Sequence, residues 1–144
     1  MILVDANLLL YAANHGAPEH RTARSWLDAQ LSGSPRVGLP LSSLLAFLRL
    51  ATNPLVVRHP VSIAAAWGQV EEWLDAPPVW VPAPADRRRE ILQGLLGSPG
   101  MTSRLVPDAH LAALAMEHGL TLCSADADFA RFAGLDWRNP LAAA

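Results

Sequence analysis

Met1-Ile-Leu-Val-Asp5-Ala-Asn7-Leu-Leu-Leu-Tyr11 begins as an apolar run, stops at a carboxylate and then turns to helical spacing. Ile2 to Val4 is long enough only for a short strand. Its unbroken apolar character marks a strand buried on both faces, as strands of parallel sheets are. A helix, or a helical turn, follows from about Asn7. The same order returns late in the chain. Leu120 to Cys123, apolar except for Thr121, reads as a strand, and Asp126-Ala-Asp128 follows it at the start of a short helix carrying Phe129 and Phe132.

Between these segments, short β-like runs alternate with helical stretches. Helices are expected from near Glu19 to Leu31, with Ala23, Trp26, Leu27 and Leu31 inward, and from Leu41 to a stop at Asn53-Pro54. In the second of these the inward residues are expected to be Leu41, Leu44, Leu45 and Leu48. A third helix, about Val61 to Leu74, would bury Ile63, Trp67, Val70 and Leu74, and Asp86 to Leu96 is a fourth. Pro107 opens a helix carrying Leu111, Leu114 and Ala115, and Gly119 ends it. Val37–Leu39 and Val79–Val81 read as strands, and Leu135–Trp137 as an edge strand. The alternation gives an α/β fold with a mostly parallel sheet, in one domain over residues 1–144.

Composition narrows the function. At 144 residues with 51% apolar content, the chain has a core that needs neither disulfides nor a structural metal. Its lone cysteine, Cys123, can neither staple the fold nor build a thiolate zinc site, and its place in an apolar strand makes it core. No apolar run approaches the ~18 residues of a membrane span, and the first residues lack the basic start of a signal peptide. A reduced cytoplasmic protein without membrane association is expected. The net charge of −2 does not suit coating nucleic acid by charge alone. All eleven basic residues are arginine, which excludes chemistry needing lysine, such as the P-loop and Schiff bases. Arginine still clamps phosphates bidentately, so RNA stays within reach.

Four of the eight aspartates fall at element junctions. Asp5 ends the first strand, Asp108 starts a helix, and Asp126 and Asp128 follow Leu120–Cys123. Carboxyl ends of parallel strands share one edge, and ligand crevices form outside it. Asp5, Asp126 and Asp128 therefore converge, and Asp108 joins them if its helix begins on that side. Aspartate also favours N-caps, so each acid taken singly has a capping role to offer. Taken jointly, the common edge favours a site. Clustered carboxylates repel unless neutralised, and oxygen-only ligands suit Mg²⁺ or Mn²⁺, which keep waters and bind phosphates. Such an ion polarises a phosphodiester and lowers the pKa of a bound water. The five histidines show no metalloprotease-like pairing. His110 and His118 read as solvated, as does Arg87-Arg88-Arg89, for which an RNA-phosphate contact is the alternative, and the five tryptophans as mostly core.

Four segments together resemble VapC-type PIN-domain toxins: Ile2–Tyr11, Leu44–Pro54, Pro107–Ala115 and Ser124–Trp137. The resemblance spans the chain in order and spacing. It implies a parallel sheet of about five short strands flanked by helices, often assembled as a homodimer. It also implies an Mg²⁺- or Mn²⁺-dependent endoribonuclease, the toxin of a type II toxin–antitoxin system, silenced by a cognate VapB-type antitoxin. Carried over by position, Asp5 and Asp108 would be the principal metal ligands, Asp126 would complete the cluster and Asp128 would be a supporting acid. Asn7 and Ser124 match polar positions that orient these groups. An acidic pocket of this kind is a natural socket for an antitoxin arginine.

One position departs from the family pattern. Many members carry a glutamate where this chain has Ala46, on a stripe with Ser42, Arg49 and Asn53. That departure favours the alternative, a catalytically weak PIN-like module that binds RNA or antitoxin; the four aspartates favour the enzyme. A metal phosphatase or a nuclease acting on DNA is a third reading; DNA stays open because metal chemistry is indifferent to the 2′-hydroxyl. Ala46→Glu needs no backbone change, since both residues favour helix, and it adds a charged oxygen ligand. Isothermal titration is expected to show tighter Mn²⁺ binding for Ala46→Glu than for wild type. Unchanged affinity would mean that Ala46 does not face the acids.

Overall fold

Ile2–Val4 forms β1 and stands at the centre of the sheet, which is why it tolerates no polar side chain. It pairs in parallel with β2 (Val37–Gly38) through Ile2 and Val37, and with β4 (Thr121–Cys123) through Leu3–Leu122 and Val4–Cys123. With β3 (Val79–Trp80) and β5 (Trp137–Arg138) at the edges, the order is β3-β2-β1-β4-β5, every neighbour parallel. The computed structural model describes residues 1–142; the expected domain of 1–144 includes two residues outside that range.

Among the described residues, six helices flank the sheet: α1 (Ala6–Ala13), α2 (His20–Leu31), α3 (Leu41–Ala51), α4 (Ile63–Leu74), α5 (Arg88–Leu96) and α6 (Val106–His118). Successive strand residues face opposite ways, so each strand feeds two cores. Val4 and Cys123 join the core under α1 to α4, whereas Leu3 and Leu122 join the core under α5 and α6. α6 is buried along most of its length, and its alanines at 109, 112, 113 and 115 let it lie close to its neighbours. Gly119, left-handed at φ 66°, ends it as expected from the sequence.

Two helices turn a different face inward from the one their leucines suggest. In α3 the buried residues are Ser43, Leu44, Phe47 and Ala51, while Leu41 and Leu45 are more than half exposed. α3 is apolar on nearly every side, so periodicity alone does not fix its rotation. The edge-on packing of Phe47 against Trp73, with ring centroids 4.8 Å apart, fixes it instead. The same contact turns α4, which buries Ala66, Val70 and Trp73 and leaves Ile63 and Trp67 outside. Trp73 is the one tryptophan fully in the core among the described residues. An apolar hollow of about 240 Å³ beside Leu10, Phe47 and Val57 contains none of the acids.

Gly38 sits where β2 is flanked by β1 and β3. A Cβ there would meet Pro82 Cγ at 3.0 Å, Leu3 Cδ1 at 3.1 Å and the Ile2 carbonyl oxygen at 3.2 Å. The last of these belongs to the central strand backbone and has little room to yield. Gly38→Ala is therefore expected to destabilise the fold by about 1–3 kcal/mol, as overpacking does, measured by urea denaturation. A neutral or stabilising result would show that β2 and β3 move apart freely.

Candidate active site

The sheet order reverses between β1 and β4, and at such a switch point a crevice opens beyond the strand ends. Asp5 stands directly after β1, and Asp126 and Asp128 follow β4 by three and five residues. α6 leads back into β4, so its first turn lies at this same edge and brings Asp108 there. One carboxylate oxygen each from Asp108, Asp126 and Asp128 lies within 4.8 Å of the others. Asp5 is outside that close triplet but near enough for its charge to act on Asp108 and to feel Asp126.

Hydrogen bonds explain why Asp5 sits slightly apart. Its Oδ1 accepts from the Ala6 amide at 2.7 Å, capping α1, and its Oδ2 accepts from Ser124 Oγ at 2.7 Å. Ser124, fully buried, also accepts from Asn7 Nδ2 at 3.1 Å and from the Asp126 amide at 3.0 Å. Asn7 Oδ1 in turn accepts from the Ala125 amide at 3.3 Å. The ends of β1 and β4 are thus tied together by side chains as well as by the Asp5 amide on the Cys123 carbonyl at 3.0 Å. Asp126 caps the single 3-10 turn Ala127–Arg131 by accepting from the Asp128 amide at 2.9 Å. Capping and clustering therefore coexist in Asp5 and Asp126. Asp108, at the third position of α6, is not its cap.

The cluster is electrostatically uneven. Burial raises the Asp108 carboxyl, and the charges of Asp126, Asp5 and Asp128 raise it further, to about 6; Arg104 partly offsets them. Burial also raises Asp5, against the opposing hydrogen bonds from Ser124 and Ala6. Asp128 goes the other way, held low by Arg104, whose Nη1 donates to Asp128 Oδ2 at 2.7 Å. Arg131 Nη2 stands 3.8 Å from the other Asp128 oxygen.

Comparison with known proteins fits this geometry. The family model for the PIN domain matches residues 2–135. Ribonuclease VapC37 of Mycobacterium tuberculosis is 46% identical over 140 residues, covering 97% of each chain. The chain belongs to the VapC-type PIN-domain family. Ribonuclease VapC33 of the same organism is 43% identical over 141 residues, 98% of this chain and 99% of that one. The PIN fold recurs in the crystal structure of VapBC2 from Rickettsia felis bound to a promoter DNA fragment. There the TM-score is 0.72 at 15% identity, over 96% of this chain and 98% of that one. Mycobacterium tuberculosis VapC20, described as a sarcin-ricin loop cleaving toxin, superposes with a TM-score of 0.68 at 23% identity. That match covers 94% of this chain and 96% of the other. At these identities the likeness to the solved structures concerns the fold.

Within this PIN-domain chain, the six polar residues singled out from the sequence gather at one edge: Asp5, Asn7, Asp108, Ser124, Asp126 and Asp128. Ala46 lies half-buried in α3. Arg104 was not singled out by sequence reasoning. It lies 24 residues from Asp128, in the turn Ser103–Leu105 ahead of α6, and no short-range spacing announces the pair. His110 lines a small hollow with Pro84 and Leu92 rather than the acid rim. His118, expected to be solvated, bonds the Ala83 carbonyl through Nε2 at 2.8 Å and packs edge-on against Trp80. Cys123 is buried, and desolvation pushes its thiol up to about 11, in keeping with a core role. No helix among the described residues is long and apolar enough to cross a membrane.

The Asp108 shift has a consequence for stability. Its ordinary value is 3.8, so from about pH 4 to about 6 the folded chain keeps a proton that the unfolded chain releases. Asp108 thus works against the fold increasingly as pH rises through that window. In chelator, the melting temperature of Asp108→Asn relative to wild type is expected to climb from pH 4 to 6 and level off above. A difference independent of pH would place Asp108 away from the other acids.

Proposed function

We propose that this chain is a divalent-metal-dependent endoribonuclease, the toxin of a type II toxin–antitoxin pair. The observation that carries the reading is the convergence of Asp5, Asp108, Asp126 and Asp128 at the switch point of a PIN fold. Full-length similarity to proteins named as ribonucleases supports it. Asp5, Asp108 and Asp126 would hold the ion, with Asp128 as the supporting acid. The donors fit a hard cation: every one is a carboxylate oxygen, and Asp108, raised to about 6 by burial first and by the charges of its acidic neighbours second, is a carboxylate whose charge a cation would offset. When bound, Mg²⁺ or Mn²⁺ would polarise the phosphodiester and lower the pKa of a water so that its hydroxide form can attack. The chain's own contribution is placement. Ser124, itself held by Asn7, fixes the Asp5 carboxylate, and the Asp128 amide fixes that of Asp126.

We read residues 1–144 as one domain acting in the cytoplasm on RNA, as a homodimer, and silenced by a VapB-type antitoxin. Solved neighbours that are VapBC assemblies support the antitoxin, and the exposed Leu41, Leu45, Ile63 and Trp67 leave apolar area for protein contacts. Ala46 favours one second reading, a catalytically weak module that binds RNA or antitoxin. Asp5→Asn and Asp108→Asn, in which Asn preserves the capping ability of residue 5, separate the two. Each is expected to lower Mg²⁺- or Mn²⁺-dependent RNA cleavage by roughly a hundredfold or more while circular dichroism stays that of wild type. Undiminished cleavage in either would remove that residue from the mechanism, and a wild type inert with both metals would leave the binding module.

A further inference from the structure

With no lysine in the chain, any Lys-or-Arg grip on an RNA phosphate must come from an arginine. Two arginines reach the acid cluster, both through Asp128. Arg131 is also tied back by Nη1 to the Gly100 carbonyl at 3.5 Å. Arg104 has no second protein partner among the described residues. Its side chain is 68% exposed, and it contacts one carboxylate oxygen through one nitrogen at 2.7 Å. It also lies close enough to Asp126 and Asp108 to feel their charge.

A guanidinium has five N–H donors in a fork shaped for two oxygens. Here one nitrogen is engaged, and the rest of the fork faces solvent at the mouth of the site. An exposed single-point ion pair of this kind is weakly held. It is strong enough to park the side chain and weak enough to be exchanged for a phosphate that takes both arms. Four carboxylates would repel a polyanion, and a cation stationed on one of them reduces that repulsion where the substrate must enter.

We propose that Arg104 is the residue by which this site grips an RNA phosphate, its pair with Asp128 being the resting form of that contact. The inference rests on the ribonuclease reading. It requires no covalent step, only an exchange of the guanidinium's partner from carboxylate to phosphate.

The test is binding of a fluorescent single-stranded RNA oligonucleotide in chelator, so that nothing is cut, across a salt series. It compares wild type, Arg104→Gln, Arg104→Lys and, as a remote surface control, Arg24→Ala. Arg104→Gln is expected to weaken binding about tenfold, the worth of a hydrogen bond to a charged group. It should also flatten the slope of log affinity against log salt by about 0.7, one phosphate contact on a single strand. Arg104→Lys should restore the slope but only part of the affinity, since it keeps the charge and loses the fork. Arg24→Ala should match wild type. A salt slope unchanged in Arg104→Gln, or no RNA binding by wild type in chelator, overturns the inference even if wild type cleaves RNA with metal. Absence of cleavage with either metal instead overturns the ribonuclease reading. Should Arg104→Gln melt well below wild type, Arg104→Lys decides: full affinity there makes the residue a mere surface cation and overturns the fork contact.

Discussion

The hydroxyl of Ser124 is the point on which the site depends. It has one proton and two lone pairs, and all are used: it donates to Asp5 and accepts from Asn7 and from the Asp126 amide. Completely buried, it lies between the ends of β1 and β4, where it holds Asp5 and Asp126 near each other although their charges oppose this. Backbone pairing of β1 and β4 sets the strand ends side by side. Ser124 sets the rotamer of the acid that follows the first strand. A buried hydroxyl with every valence filled is costly to replace, because its loss strands the polar groups it served.

Much of this was legible in the residues. Ile2–Val4 is an unbroken apolar run and Leu120–Cys123 one broken only by Thr121, as suits strands of a covered parallel sheet, and each is followed by acid, so the common edge could be drawn without coordinates. Gly119 announced the end of α6. The rotation of α3 was not legible, because a helix apolar on nearly every side has no single preferred face until a specific partner chooses one; α4, with apolar residues at Ile63, Ala66, Trp67, Val70, Trp73 and Leu74 to choose among, is turned by the same contact of Phe47 on Trp73. Arg104 escaped for a different reason. Its partner is set by how the turn before α6 meets the turn after β4, and sequence spacing carries no record of a contact between two surface turns. The partner of His118 escaped in the same way, its acceptor lying on a loop 35 residues away.

The socket expected for a partner's arginine already contains one of the chain's own. Asp128, its carboxyl held low by Arg104, keeps its charge where Asp108, with a pKa near 6, yields its charge most readily. The cluster is therefore not four equivalent acids. One is neutralised by an arginine, two are fixed by caps and hydrogen bonds, and one is left to absorb the repulsion.

The order of the acids along the chain has a further meaning for a protein made from its N-terminus. Asp5 emerges first, but Asp108, Asp126, Asp128 and the serine that orients Asp5 all emerge more than a hundred residues later. The core under α1 to α4 draws nearly all its members from early segments, so it has most of what it needs to condense while the ribosome is still reading the rest. β4, more than a hundred residues from β1, pairs with it in parallel, a non-local pairing of the kind that is intrinsically slow to form. The members of that core are nearly complete at Leu74, about halfway along the chain, whereas the acid cluster is complete only once the residues around β4, one of the last strands, have been added.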